Sequence, residues 1–394
     1  MLRAISSEAQ PMRELSSAPR KFFMSCARDI IANLFAAGDI VINGSRPWDI
    51  QVHNDRFFQR VLVDGNLGLG ESYMDGWWDC DVLDELCFRA IRARLDQSIA
   101  RNWRTIVSAL ASVFINRQSL RQSKVVAKRH YDLGNDFFEA MLDPAMQYSC
   151  AYFDDTSDLA EAQRRKMDLI CRKLRLQSGM RLLDIGCGWG GLAKYAAETY
   201  GCRFVGITIS RQQKEYAENL CRELPVEIRL QDYRELSEKF DRVVSVGMVE
   251  HVGFKNYREY MKTVCRSLTD GGLFLCQSIA VTISDFQPDP WIARYIFPNS
   301  MLPSAARLTK AAEGFFVLED VQNFGAFYDQ TLLAWEENFR ASWKRFSSRY
   351  GERFFRMWRF YLLSCAGAFR ARSLELYQFV FCKGGVPGGY RPVR

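Results

Sequence analysis

The chain has 394 residues, of which 48% are hydrophobic and 25% charged, and its lysines and arginines give it a formal net charge of +7. This is the composition of a globular protein of about two domains, and it excludes a globally disordered chain. The charge is uneven, because residues 331–394 carry a net +8, residues 131–330 a net −5 and residues 1–130 a net +4.

The composition also excludes several kinds of protein. The longest uncharged run, residues 271–284, is too short for a transmembrane helix of ~20 residues. The first residues are polar and lack the apolar centre of a signal peptide, so export is not expected. The 12 cysteines contain no C-x-x-C pair, and there are only 3 histidines, which argues against a zinc cluster or a disulfide framework. We therefore expect a cytoplasmic protein with free thiols and no metal.

The first 120 residues predict a loose tail over 1–20 and then a mixed, largely helical domain over 21–120. Phe22, Cys26, Ile30 and Leu34 recur at helical spacing and predict a helix over 21–37 with these side chains inward. Further elements are expected in this part: short strands over 40–42 and 50–53, a helix over 82–94 after a glycine-rich stretch, and a helix around 104–119.

From residue 156 the pattern changes to helices alternating with short apolar strands. The helix over 156–176 should turn Met167, Ile170, Cys171 and Leu174 inward. Such alternation predicts βαβ units and a parallel sheet covered on both faces. The predicted strands are 180–185, 202–209, 226–230, 240–246, 273–279, 315–318 and 376–381, and the predicted helices between and after them include 190–200, 211–222, 256–267 and 331–363.

The segment LDIGCGWGG at residues 183–191 lies at a strand-to-helix turn. Glycines there permit a positive φ and a close approach of the backbone to a ligand. Asp184 precedes Gly186 and Gly188 in a spacing that differs from the dinucleotide-binding G-x-G-x-x-G. It resembles motif one of the S-adenosylmethionine-dependent methyltransferases, which favours a nucleotide-type cofactor over a purely structural turn.

The next two strands end in polar residues rather than in an acidic ribose ligand. Hydroxyl and amide groups around Thr208 and Gln213 could serve a ribose, while Ser210 could equally cap the helix that follows. After the third strand, Asp232 could accept the adenine amino hydrogens and Tyr233 could flank the ring.

Together, a long ordered set of motifs resembles the cyclopropane-fatty-acyl-phospholipid synthases of the mycolic acid cyclopropane synthase-like family. The resemblance covers nearly the whole chain after the first ~20 residues, and such a set is specific. Its motifs are LGLGESYMDGWW at 67–78, HYDLGND at 130–136, QYSCAY at 147–152, LDIGCGWGG at 183–191, SVGMVEHVG at 245–253, DPW at 289–291, YIFP at 295–298, NFG at 323–325 and CAGAFR at 365–370.

The resemblance implies an α/β fold, with a Rossmann-like class I methyltransferase domain over 121–394 after the smaller N-terminal domain. It implies methylene transfer from S-adenosylmethionine to the cis double bond of an unsaturated phospholipid acyl chain, through a carbocation deprotonated by a bound bicarbonate. The implied cofactor residues, taken with Asp184 and Asp232, are Tyr148, Ser149, Gly186, Gly188, Thr208, Ile209, Gln213, Tyr233 and Arg234. The implied bicarbonate-site residues are Cys150, Glu250, Ile279 and Tyr328, and we add Gln277 to this catalytic set.

Gln277 is where the chain departs from the family, which usually has histidine at this position. An amide can donate and accept hydrogen bonds but cannot take up a proton as imidazole does. This leaves two alternatives: a related lipid C-methyltransferase without ring closure, or a catalytically silent lipid-binding paralogue. By position alone, Glu250 could bind bicarbonate or cap a helix. Cys150 has no histidine near it in sequence and is not expected to be a nucleophile.

The basic C-terminal part bears a stripe of aromatic residues at helical spacing between Trp343 and Trp358. We expect the stripe to pack in the core and the arginines beside it to meet anionic lipid headgroups. No nucleic-acid motif accompanies the charge. We therefore expect peripheral association with the inner face of the cytoplasmic membrane, with unsaturated phospholipids as partners and the N-terminal domain engaging lipid or pairing subunits in a homodimer.

Overall fold

The computed structural model describes residues 17–95, 133–284, 288–298 and 300–394, with side chains from residue 26 onward. The expected tail before residue 17, the expected helix around 104–119 and the first three residues of the motif at 130–136 lie outside the described residues.

Residues 17–95, the described residues of the N-terminal part, form three helices and two very short strands. These are α1 (Ser17–Ala36), β1 (Gln51–Val52), α2 (Arg56–Met74), β2 (Trp78–Asp79) and α3 (Leu83–Arg92). The predicted strand over 40–42 is wrong, since only an isolated bridge between Ile42 and Ile50 forms there.

Helix α1 begins earlier than predicted and is rotated from its predicted orientation. Its buried side chains are Ala27, Ile31 and Phe35, whereas Cys26 is exposed. The helix packs against α2, and the small Ala27 suits a close approach between two helices.

Helix α2 runs through the glycine-rich stretch for which no helix was predicted. The chain kinks at Gly65, whose φ of 57° and ψ of −131° are not helical. Gly70 lies against the indole of Trp291, where a Cβ atom would overlap the ring. The glycines therefore serve a kink and a close helix contact within a helix that their low propensity conceals.

The rest of the chain forms a seven-stranded sheet in the order β5-β4-β3-β6-β7-β9-β8. All of its neighbouring strands are parallel except β9, which runs antiparallel to both β7 and β8. This confirms the predicted Rossmann-like α/β fold, in which ligands bind beyond the carboxyl ends of the parallel strands. The strands are β3 (Arg181–Ile185), β4 (Arg203–Thr208), β5 (Val226–Leu230), β6 (Phe240–Val246), β7 (Leu268–Ala280), β8 (Val317–Asn323) and β9 (Glu375–Cys382).

Helices cover the sheet and its carboxyl edge. The predicted inner face of the helix expected over 156–176 is confirmed, because Met167, Ile170, Cys171 and Leu174 are all buried. The strand predicted over 315–318 is β8, which begins at Val317 and ends at Asn323. The helical region predicted from 331 begins at Ala326. The helices are α4 (Asn135–Met141), α5 (Leu159–Lys173), α6 (Gly191–Tyr200), α7 (Arg211–Leu220), α8 (Tyr257–Ser267), α9 (Pro290–Tyr295), α10 (Ala305–Ala312), α11 (Ala326–Ser342) and α12 (Ser347–Arg370).

The largest apolar core joins the N-terminal helices to α11 and α12. Trp78 from the N-terminal part and Trp335 and Trp358 from the C-terminal helices are fully buried in this one cluster. Arg370 on α12 reinforces the junction by pairing with Asp84 of α3 at 2.7 Å and with Asp329 of α11 at 2.9 Å.

The aromatic stripe of the C-terminal part packs in this core, as expected. The arginines beside it differ from the expectation of free cations, since several have carboxylate partners within the chain. The pairs are Arg349 with Asp136, Arg353 with Asp75, Arg356 with Asp79 and Arg359 with Glu336.

Candidate active site

The glycine-rich turn leaves β3 and enters α6 with three glycines in the left-handed region. Gly186, Gly188 and Gly190 have φ values of 95°, 55° and 86°. A Cβ atom at Gly190 would lie 2.8 Å from the Cβ of Ala217 on α7, so this glycine also serves helix packing. At Gly188 a Cβ atom would meet nothing within 4 Å, so the backbone there faces open space in which a ligand can approach it.

The end of β4 brings three predicted cofactor residues to the same edge. The Thr208 hydroxyl donates to Oε1 of Gln213 at 2.9 Å. Between them, Ile209 is 83% exposed, the highest value among the large hydrophobic side chains of the described residues. Ser210 caps α7 by accepting from the Gln213 N–H at 3.3 Å, so the capping role is confirmed.

Beyond β5, Asp232 and its neighbours form a short 3-10 turn. The Asp232 carboxylate accepts from the backbone N–H and the guanidinium of Arg234, which holds the pKa of that carboxyl below its usual range. The ring of Tyr233 packs edge-on against Tyr260, with centroids 5.2 Å apart. The adenine contacts expected of Asp232 and Tyr233 stay predictions.

Asp184 lies near the carboxyl end of β3 and is almost fully buried. Burial raises the pKa of its carboxyl to about 7, an effect that the nearby Lys166 ammonium opposes. Its Oδ1 is buried and has no hydrogen-bond partner among the described residues. A buried oxygen without a partner is costly, and a polar ligand at the glycine turn would relieve that cost.

The segment 147–149, which carries Tyr148 and Ser149, accepts hydrogen bonds from two side chains of α5. The Lys166 ammonium donates to Gln147 Oε1 at 2.7 Å and to Ser149 Oγ at 2.8 Å. One turn earlier, the Gln163 amide donates to the backbone oxygens of Ser149 and Gln147 at 2.8 and 3.2 Å. The sequence analysis missed Gln163 and Lys166; their signal was two long polar side chains at helical spacing on the apolar face of a predicted helix.

A small cavity connects this segment to the end of β4. Tyr148 and Gln213 line it together with Phe138, Trp189 and Ser210. The Tyr148 hydroxyl lies 3.0 Å from that of Tyr361 on α12. Two predicted cofactor residues from distant parts of the chain therefore share one cavity.

Cys150 and Tyr328 are buried in the same aromatic core, against which Tyr148 packs. Cys150 is fully buried, and burial raises the pKa of its thiol, so the sulfur stays protonated and is a poor nucleophile. Tyr328 stacks on Phe369 with ring centroids 4.5 Å apart. Burial holds the pKa of its phenol well above the usual range, and the negative forms of Cys150, Tyr148 and Glu250 add to this effect.

Glu250 follows β6 in a 3-10 turn at the carboxyl edge of the sheet. Its Oε1 accepts from the backbone N–H of Ile279 at 2.8 Å, while its buried Oε2 has no hydrogen-bond partner among the described residues. Burial raises the pKa of this carboxyl to about 7. The position therefore has both an orienting hydrogen bond and an unsatisfied oxygen.

Gln277 lies within β7 and makes its contact across the sheet. Its Oε1 accepts from the Gln378 amide of β9 at 2.9 Å, and both side chains are almost fully buried. No hydrogen bond between described residues joins Gln277 to Glu250 or Tyr328. The structure thus brings Cys150, Tyr328, Glu250 and Ile279 to one region, and it holds the Gln277 side chain by another partner.

Known proteins resemble this chain over nearly its whole length. Residues 118–379 match the mycolic acid cyclopropane synthetase family. Cyclopropane-fatty-acyl-phospholipid synthase of Escherichia coli K12 is 51% identical over 365 residues, 92% of this chain and 95% of that protein. Tuberculostearic acid methyltransferase of Mycobacterium tuberculosis is 31% identical over 84% of this chain and 82% of that one. The crystal structure of mycolic acid cyclopropane synthase CmaA1 with SAH and CTAB superposes with a TM-score of 0.61 at 32% identity, covering 68% of this chain and all of that one.

Proposed function

Since the chain belongs to the mycolic acid cyclopropane synthetase family, we propose that it transfers a methylene group from S-adenosylmethionine to the cis double bond of an unsaturated phospholipid acyl chain, giving a cyclopropane ring. The observation that carries the proposal is the 51% identity over 92% of the chain to a cyclopropane-fatty-acyl-phospholipid synthase. The buried, aromatic site beside a glycine turn supports the same chemistry.

The residues at the carboxyl edge of the sheet fit S-adenosylmethionine. The unpartnered Oδ1 of Asp184 and the open backbone at Gly188 offer polar contacts, and the exposed Ile209 offers an apolar face for a base. The net −5 over residues 131–330 also suits a cationic ligand. When bound, the cofactor would supply an electrophilic methyl group.

An alkene is a weak nucleophile, so the protein has to align it and keep water away from the cation that forms. The region around Cys150 is suited to this task, because Cys150, Tyr328 and Tyr361 are buried in one aromatic core against which Tyr148 packs. Aromatic faces stabilise a nearby cation by roughly 0.5–2 kcal/mol each. The tyrosines therefore both exclude water and favour the charged transition state.

Ring closure also needs a base, and we propose a bound bicarbonate near Glu250. The buried Oε2 of Glu250 has no partner among the described residues, which fits a small hydrogen-bonding ion. Bicarbonate would supply the group that accepts the proton lost when the ring closes. Glu250, oriented by the Ile279 N–H, would accept a hydrogen bond from the hydroxyl of that ion, and the Tyr328 hydroxyl would donate one to it.

The proposal is tested by incubating the protein with S-adenosylmethionine, bicarbonate and vesicles of an oleoyl phospholipid. We expect acyl chains heavier by one methylene group and without a double bond, identified by gas chromatography and mass spectrometry of their methyl esters. Cofactor binding without any such mass gain would contradict the proposal.

Two other activities give different results in the same assay. A lipid C-methyltransferase would add carbon without closing a ring, and the similarity to a protein named for methyl transfer to a fatty acid favours keeping this second candidate. A silent lipid-binding paralogue would bind cofactor and leave the lipid unchanged. Gln277, which cannot take up a proton, motivates both alternatives.

We further propose that the protein acts at the inner surface of the cytoplasmic membrane. No helix in the described part of the chain is long and apolar enough to cross a bilayer. The contact with lipid that we propose is peripheral. Among the residues of the basic tail, Lys344 and Arg345 are exposed and form no ion pair with a described carboxylate, so they are candidates for headgroup contact.

A further inference from the structure

Helix α5 buries two lysines completely, which is rare in a soluble domain. Lys166 and Lys173 each have no exposed surface, and both point from α5 into the protein. Burying an ammonium group is costly unless it is paired and hydrogen-bonded. The two lysines differ in how that cost is offset.

The Lys166 ammonium has well-defined acceptors in a single segment, Gln147 Oε1 and Ser149 Oγ. The Gln163 amide holds the backbone of the same segment. Four hydrogen bonds therefore run from two side chains of α5 to residues 147–149. Tyr148 lies between the two residues held, and its ring lines the cavity that Gln213 also lines.

The charges that face Lys166 come from the same region. Asp143, Cys150 and Asp184 are the titratable groups that interact with it, while burial lowers the pKa of the ammonium to about 8. Asp143 accepts from the backbone N–H of Gln147 at 2.9 Å, and Asp184 is the second-last residue of β3, the strand before the glycine turn. Lys166 thus lies between the segment that carries Tyr148 and the turn that carries Gly186.

We propose that Lys166 is a positioning residue for the methyl donor: its ammonium fixes the Gln147–Ser149 segment against the glycine turn, so that Tyr148 and Ser149 are pre-ordered for binding. The inference rests on the proposed cofactor. It assigns Lys166 no contact with the reacting atoms. Pre-ordering a binding segment improves affinity by reducing the entropy lost when the ligand binds.

Lys173 provides an internal comparison. It lies two turns further along α5, its Nζ has no hydrogen-bond partner among the described residues, and the nearest carboxylate oxygen, on Asp320, is 3.9 Å away. Asp320 belongs to β8, away from the glycine turn, and itself pairs with Arg394. Replacing Lys173 therefore removes a buried ammonium from the same helix without touching residues 147–149.

The test is calorimetric titration of wild type, Lys166→Met and Lys173→Met with S-adenosylhomocysteine. We expect the Kd to rise at least about tenfold in Lys166→Met, because hydrogen bonds to a charged group are lost, and to stay within about twofold in Lys173→Met. With S-adenosylmethionine and lipid vesicles, KM for the methyl donor should rise while kcat at saturating donor changes little. A purely structural role would lower the thermal midpoint of both variants and leave both Kd values alike, which would overturn the inference.

A second variant covers the case in which Lys166→Met does not fold. Gln147→Leu removes one acceptor of Lys166 and should also raise the Kd; an unchanged Kd there would overturn the inference. If both single variants fold, the double variant should bind more tightly than the product of the two effects predicts, because the two residues act through one interaction; strictly additive effects would argue against the inference. Failure of the wild type to bind would overturn the proposed cofactor itself, whereas wild-type binding with an unaffected Lys166→Met overturns only the role of Lys166.

Discussion

At the level of single residues, the site is defined by carboxyl groups that the protein keeps out of water. The sequence made both Asp184 and Glu250 candidates, Asp184 by its spacing before the glycines of the turn and Glu250 by the family resemblance. The structure adds that burial raises the pKa of each carboxyl to about 7. Each also has one buried oxygen without a described partner. Perturbed carboxyls of this kind are typical of functional sites.

Glu250→Gln tests the cost of that burial. The folded-state pKa of about 7 exceeds the ordinary value of 4.5. Wild type should therefore lose stability as the pH rises between these values, where the unfolded chain ionises and the folded one does not. Glutamine does not titrate. Between low pH and pH values above 7, we therefore expect the free energy of unfolding of the variant to rise relative to that of wild type by up to about 3 kcal/mol. Urea unfolding at several pH values measures the difference.

The comparison should be made without cofactor and without bicarbonate, since a bound ion would change the titration. A difference in stability that is independent of pH would contradict the assigned burial of Glu250. Turnover of the variant should fall most above pH 7, where wild type has a carboxylate that can accept a hydrogen bond from the bound ion.

At the level of elements, the junction of β7 with β9 carries the departure from the family pattern. Gln277 and Gln378 face each other in register, and Gln322 of β8 faces Gln378 in turn. The three amides form a row across three strands at the antiparallel side of the sheet. The only side-chain bond between them in the described structure runs from Gln378 to Gln277.

Gln277→Leu should destabilise the protein by ~1–3 kcal/mol, because the buried amide of Gln378 loses its acceptor. Gln277→His keeps an acceptor in place and should recover much of that loss. Thermal unfolding of both variants checks these expectations. Equal stability of Gln277→Leu and wild type would show that the amide pair contributes nothing.

Turnover of Gln277→His answers a separate question. Since the Gln277 side chain is held by Gln378, we expect kcat within about threefold of wild type. A much larger rise in the rate of cyclopropane formation would show that the departure from histidine costs catalysis.

In the whole molecule, the acidic and the basic parts of the chain lie in different surroundings. Residues 131–330, with a net charge of −5, contain the site proposed for a cationic cofactor. The basic residues of the tail extend over α11 and α12, where several pair with carboxylates of β2, α4, α11 and the residue that follows α2. Arg353 and Arg356 therefore help to hold the N-terminal part against the rest, and less of the basic charge is free for lipid than composition suggests.

Salt should weaken binding to lipid vesicles much more than binding of the cofactor. Raising the ionic strength from about 0.05 M to about 0.5 M shortens the Debye length from ~14 Å to ~4 Å. We expect sedimentation with anionic phospholipid vesicles to fall severalfold, while the Kd for S-adenosylhomocysteine, bound in a recessed site, changes little. Replacing Lys344 and Arg345 by glutamate should lower vesicle binding in the same way, with neutral vesicles as the control. Equal salt sensitivity of both events would contradict this division of charge.

The sequence by itself determined the elements whose signals are local. The alternation of helices and strands, the glycine turn with Asp184 and the inner face of α5 follow from periodicity and turn chemistry within a few residues. Helix α2 was missed because its glycines have low helix propensity, and only the packing of Gly70 on Trp291 shows what they are for.

Only the tertiary structure decided which distant side chains meet. Lys166 was a polar residue on an apolar helical face until the fold placed Gln147 and Ser149 against it. Arg370 and Asp84, and likewise Gln277 and Gln378, are far apart in the chain and are joined only when their elements pack. Local sequence preference determines whether a segment forms a helix or a strand. The hydrogen-bond partners of buried polar groups depend on long-range packing, because each buried group needs a partner and that partner often lies far away in the sequence.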